Sequence, residues 1–231
     1  FYNTTDCGTI TNRVRHGFIE AILNNEVIYL ITSEDGTGWY LPKNAAIDAT
    51  PTFTGDTHTN TTIDNISSLT NVYVGQKISG TNIVAGTRIS VINSATSITV
   101  DTATTGTTGG ITITFERIAK IIDPNFPSCV GCFAELDGSV YVMDVAGNIR
   151  SSALNIIISW PAINSIPSSP FGSVGRGVAR IGKEIIGLSA ASTDFFYNAG
   201  NPTGSLLSKI QEKTVKLGTT PPSGFNFYMQ Y

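Results

Sequence analysis

Three stretches of the chain share one rhythm of apolar runs and turn residues. They are "GFIEAILNNEVIYLITSEDGTGWYLP" from Gly17, "GCFAELDGSVYVMDVAGNIRSSA" from Gly131 and "GVARIGKEIIGLSAASTDFFYN" from Gly177. Each predicts strand, tight turn, strand, turn, strand, because short apolar runs bounded by Gly, Asn and Asp read as strands joined by hairpins. Asn24-Asn25, Asp137-Gly138 and Gly182-Lys183 stand between the first two strands of each stretch. Asn and Gly tolerate the positive φ that two-residue hairpin loops require.

Gly131 and Gly177 are 46 residues apart, whereas Gly17 and Gly131 are 114 apart. Between Pro51 and Glu116 lie 66 residues of a different character, and without them the first interval shrinks to 48. A period of roughly 40–50 residues with several strands per unit is the mark of propeller blades. The expected fold is therefore all-β: about three propeller-like blades over 1–50 and 117–231, with an inserted β domain over 51–116. Propellers typically close with about 4–8 blades. The ring is thus incomplete in this chain, which starts at Phe1 without Met and stops at "GFNFYMQY", and reads as a fragment of a larger propeller.

The insertion contains 18 Thr and short alternating runs at 61–66, 88–92, 97–101 and 111–115. Alternation puts Thr on a wet face and Ile or Val inward, which predicts a small β-barrel or sandwich. Gly80, Gly86, Gly106 and Gly109-Gly110 mark its corners. A disordered Thr-rich linker fits less well, since disorder rarely carries so many β-branched apolar residues.

Composition supports strands over helices: charged residues are 13% of the chain, about half the ordinary ~25%. The net charge of −3 divides mildly, with 5 basic against 10 acidic residues up to Glu116 and 9 against 7 after it. That is not the basic footprint of a nucleic-acid binder. No apolar run nears the roughly 18 residues of a membrane span, so the chain reads as soluble.

Candidate chemistry is sparse. "CVGC", Cys129 to Cys132, has the spacing of a zinc half-site or redox pair, and Cys7 and His16 complete a conceivable Cys₃His set. No second paired motif accompanies it, and structural thiols are the preferred reading. His16 and His58 are the two histidines, and neither stands near a nucleophile-elbow motif. Glu20, Glu26, Asp137, Asp144 and Asp194 offer carboxylate pairs for a glycosidase, but Asp137 suits an Asp-Gly turn and Asp144 a strand end. "GSVGRGV", 172–178, reads as a loop entering a strand rather than a phosphate loop. Arg176, Arg180 and Lys183 with Lys209, Lys213 and Lys216 form a modest basic population, read as a solvated face. The expectation is no catalytic, cofactor or metal site. In "STDFFYNAGNPTG", 192–204, alternation sends Phe195 with Tyr197 to one face and Asp194 with Phe196 to the other. All three aromatics therefore cannot line one ligand face, and packing or a subunit contact is the preferred use.

Taken together, "LDGSVYVMDVAGNIRSSAL" (136–154), Trp160-Pro161 and "TDFFYNAGNPTGSLLSKI" (193–210) leading to "VKLG" resemble the packaged-DNA stabilisation, or tail hub (nozzle), proteins of short-tailed bacteriophages. The residues that carry the match are Asp137, Gly138, Tyr141, Gly147, Asn148, Trp160, Asp194, Phe195, Phe196, Tyr197, Gly200, Asn201 and Gly204. The resemblance runs from Glu135 to about Gly218, and Arg150-Ser151-Ser152 depart from it where an aromatic or Asn is common. "GQKISGTNIVAGTRISVINSATSITVD", 75–101, is similar to Thr- and Gly-rich modules of phage virion proteins.

The resemblance implies a structural virion protein in the phage tail, a sixfold homo-oligomeric ring below the portal and its adaptor. Such a ring retains DNA in the head, lets it pass without sequence-specific binding, and anchors a fibre, spike or needle. It implies no catalytic residues, no cofactor and no membrane. A receptor- or glycan-binding tail protein is the alternative, and a propeller-type glycan hydrolase or lyase stands third.

Overall fold

The first pair of apolar runs forms β1 (Ile19–Leu23) and β2 (Glu26–Thr32), antiparallel with Leu23 opposite Glu26. The computed structural model describes residues 10, 19–23, 25–42, 50–169 and 172–219, with the side chains of Ile19 and Cys132 left aside. Cys7, His16, Gly17 and Asn24 lie outside the described residues, while Asn25 takes φ +62 as the hairpin expects. Ala21, Leu23, Ile28 and Leu30 are buried and Glu20 and Ile22 exposed, so the hairpin has one dry face.

Two compact units follow from the contacts of the chain: 39–122 in one, and 10–38 with the residues from 123 onward in the other. The first unit holds β3 (Gly38–Pro42), β4 (Thr52–His58), β5 (Thr62–Asp64), β6 (Gln76–Gly80), β7 (Ile89–Ser94), β8 (Ser97–Val100) and β9 (Thr107–Lys120). Their order is β3-β9-β4-β5-β8-β7, with β6 also on β9. The expected insertion, 51–116, lies within this unit. β9 does not stop at Glu116, and its last residues pair with Trp39 and Tyr40 of β3. The third strand of the first repeat thus belongs with the insertion.

This sheet curls round ten buried residues, among them Ile63, Ile78, Ile98, Ile113 and Phe115. Among the described residues a single bridge, Lys77 to Arg88, joins β6 to β7, and no continuous ladder closes a barrel. Along β9 the alternation is as expected: Ile111, Ile113 and Phe115 point in while Thr112 is exposed. Thr57 is an exception, buried with its hydroxyl donating to the Thr108 carbonyl at 3.4 Å.

The other unit continues with two four-stranded antiparallel sheets. One is β10 (Cys129–Leu136), β11 (Ser139–Asp144), β12 (Asn148–Ser151) and β13 (Ser165–Pro167). Its successor is β14 (Gly175–Ile181), β15 (Glu184–Ser189), β16 (Thr193–Asn198) and β17 (Leu207–Lys209). The sequence predicts three strands in each; the structure adds a short fourth, β13 and β17, at the outer edge. "VKLG", expected to follow as a strand, contributes only the isolated bridge from Val215 to Thr193. Among the described residues the helical content is a single 3₁₀ turn, Gln211–Lys213, and no helix is long and apolar enough to cross a membrane.

Turn chemistry explains the registers. Asp137 and Gly138, at φ +52 and +77, place Leu136 opposite Ser139, the pair of positive angles of a type I′ loop. Gly182 at φ +58 begins the equivalent loop, with Ile181 opposite Glu184.

The two sheets stack face to face. Ala134, Leu136, Tyr141, Met143 and Ile149 of one share a core with Val178, Ile185, Phe196 and Leu207 of the other. The hairpin β1–β2 also packs against β10, where the Thr32 hydroxyl donates to the Gly131 carbonyl at 2.9 Å. Each first strand has a register irregularity at its glycine, Val130 to Ala134 in β10 and Gly175 to Gly177 in β14. There the two sheets approach so closely that a Cβ on Gly131 would stand 2.7 Å from the Gly177 Cα. The glycine that opens the second and third repeats is thus a contact between backbones as well as a bend.

Candidate functional site

The signature residues fall into two structural roles. Asp137, Gly138, Gly147, Asn148, Gly200, Asn201 and Gly204 build turns. Asp144 accepts from the Asn148 amide at 2.8 Å and from its side chain at 3.0 Å, closing the loop that Gly147 makes at φ +87. The Asn201 side chain donates to the Ser205 carbonyl at 2.9 Å, and Gly200 and Gly204 lie at φ +64 and +77. "NAGNPTG" is therefore a self-bonded loop between β16 and β17.

Tyr141, Trp160, Asp194 and Phe196 are buried. Trp160 donates its indole N–H to the Ile157 carbonyl at 2.8 Å and its backbone N–H to Asp123 at 2.9 Å. The Phe126 ring meets it edge-on at 4.8 Å, an arrangement aromatic quadrupoles favour. Burial pushes the Tyr141 phenol up to about 12; Ser139 tempers the shift and the charges of Asp137 and Glu135 add to it. Neither the Tyr141 nor the Ser139 hydroxyl makes a hydrogen bond of ordinary geometry.

Alternation on β16 is as the sequence implies: Asp194 and Phe196 buried, Phe195 half-buried, Tyr197 exposed. The oxygens of Asp194 are bonded within the chain. Lys209 Nζ lies 2.5 Å from Oδ1, the Thr214 hydroxyl donates to Oδ1 at 2.9 Å, and the Ser192 hydroxyl donates to Oδ2 at 2.7 Å. Ser189 stands behind Ser192 at 3.3 Å. A buried carboxylate needs such a set of partners. Lys213 lies 5.9 Å from the centre of the Phe195 ring and pairs with Glu184 at 2.5 Å.

The two signature segments meet. Asn198, at the end of β16, donates to Asp137 Oδ2 at 2.9 Å, and Arg180 Nη1 pairs with Glu135 Oε2 at 2.8 Å beside it. Of the carboxylates weighed for glycoside chemistry, Asp137, Asp144 and Asp194 thus build turns or a buried network. The basic population disperses as well, since Arg180, Lys209 and Lys213 each have an acidic partner. Cys129 is buried with its thiol on the Gly36 carbonyl at 3.1 Å. Among the described residues no three His, Cys, Asp or Glu side chains cluster as metal ligands.

In the other unit, His58 Nε2 lies 2.7 Å from Asp64, and Asp56 stands opposite Asp64 across β4 and β5. Hydrogen bonds from Asn65 and the Gly110 amide, aided by His58, hold the Asp56 carboxyl below its ordinary value against a small opposing effect of desolvation. Arg88 donates to the Gly75 carbonyl at 2.9 Å and lies 5.1 Å from the Trp39 ring centre. Burial lowers its pKa, opposed by Glu116 and Asp101.

Sequence reasoning passed over one surface. Leu154, Ile156, Ile158 and Ile163, between β12 and β13, are all exposed. Trp160 and the bond from the Ala153 amide to the Ser159 carbonyl, 2.8 Å, hold this loop in shape. Four exposed large aliphatics in ten residues exceed the scatter of an ordinary surface. The run "LNIIISWPAI" was the available signal.

No family model and no curated protein matches the chain. Among solved structures, the phage phi92 endosialidase aligns with 84% of this chain and 37% of its own, at 11% identity and a TM-score of 0.30. This chain therefore spans little more than a third of that protein, and a likeness of that size fixes neither detailed fold nor function.

Proposed function

We propose that the chain is a structural component of a bacteriophage tail, part of an oligomeric hub below the portal that retains packaged DNA and anchors tail appendages. The observation that carries this reading is the bond between Asp137 and Asn198. It joins two segments of the phage-hub resemblance across the junction of two stacked sheets. Its neighbours in the resemblance are turn formers and core residues, the parts of a framework. A framework protein keeps its geometry under load through such turns and packed faces.

The charge balance is compatible with that role. A lumen through which DNA slides is best neutral or acidic, because a basic wall binds phosphate and slows passage; the net charge here is −3. The incomplete ring of blades is completed, in this reading, by further blades of the assembly. Cryo-EM of intact particles, with the chain located by an inserted tag, tests it. Density in a ring between the portal and the tail tip is expected, and a protein absent from purified particles would sink the proposal.

A further inference from the structure

We draw no further inference here: the strongest candidate, the apolar surface patch that Leu154, Ile156, Ile158 and Ile163 form on the loop between β12 and β13, carries nothing because nothing in the structure shows what covers it.

Discussion

The two compact units solve the burial problem in different ways. In the 39–122 unit, strands carry one dry face: β9 alternates Ile111, Ile113 and Phe115 inward with Thr112 outward round a single core. In the other unit β11 is buried at Ser139, Val140, Tyr141, Val142 and Met143 in succession, with Tyr141 and Met143 in the core shared with the following sheet. A sheet with one wet face is finished once its core is closed, whereas a strand dry on both faces belongs to a stack, and a stack has ends.

If the units are separate cores, large core deletions should report separately. Phe196→Ala in the stack and Phe115→Ala in the curled sheet each remove a fully buried ring, at about 3–5 kcal/mol. Calorimetry should show each change lowering one transition and leaving the other in place. A shared shift would mean the two regions unfold as one.

The polar interior of the stack supplies the next test. Asp194→Ala strands Lys209 without its partner and should cost about 3 kcal/mol, as breaking one side of a buried pair does. The double change Asp194→Leu with Lys209→Met should recover most of that in urea unfolding. No recovery would show that Ser192 and Thr214, rather than the ion pair, set the energy.

Tyr141 sharpens the contrast by pH. Its phenol, raised in the folded state to about 12, stays protonated where the unfolded chain's ordinary tyrosine, near 10, has ionised. The stabilising difference is complete below pH ~10 and disappears as pH climbs toward 12, a loss of roughly 2–3 kcal/mol. Urea melts of the stack at pH 9 and 12 should therefore differ more in the parent than in Tyr141→Phe. Equal differences would place the alkaline sensitivity elsewhere.

Glycine substitutions separate close approach from turn strain. Gly131→Ala meets both a φ of +76 and the Gly177 backbone at 2.7 Å, and should cost about 2 kcal/mol. Gly110→Ala in the curled sheet meets φ +65 and open space, and should cost about 1 kcal/mol. Equal costs would mean that the sheets can spread at Gly131.

The sequence read the turns well because their chemistry is local: Asn25, Asp137-Gly138 and Gly182 each meet a φ requirement within two residues. The face assignments on β16 were equally accessible, since a period of two needs no partner to be seen. The fourth strands were hidden, being three residues long and bounded by irregular loops. β9 misled for the opposite reason, since its alternation fades after Phe115 where Arg117, Ile118 and Ala119 are all buried. In the candidate site, Asp194 read as an available carboxylate because its cation, Lys209, arrives through a loop that the sequence does not close. The exposed 154–163 loop read as unremarkable because hydropathy cannot tell an apolar residue that is covered from one waiting to be.

The smallest effect belongs to the wet end of the curled sheet. Asp56 is held ionised by Asn65 and the Gly110 amide, so its folded pKa lies below its unfolded value. Its contribution is present above the unfolded value, near 3.8, and fades as pH falls through the folded one. Asn65→Ala removes the larger of the two donors and should move the Asp56 carboxyl back toward its ordinary value in an NMR titration, with the calorimetric transition of this unit almost unmoved. A large fall in that transition would show that the Asp56–Asn65 bond braces the sheet, and the wet face could no longer be treated as separable from the core beneath it.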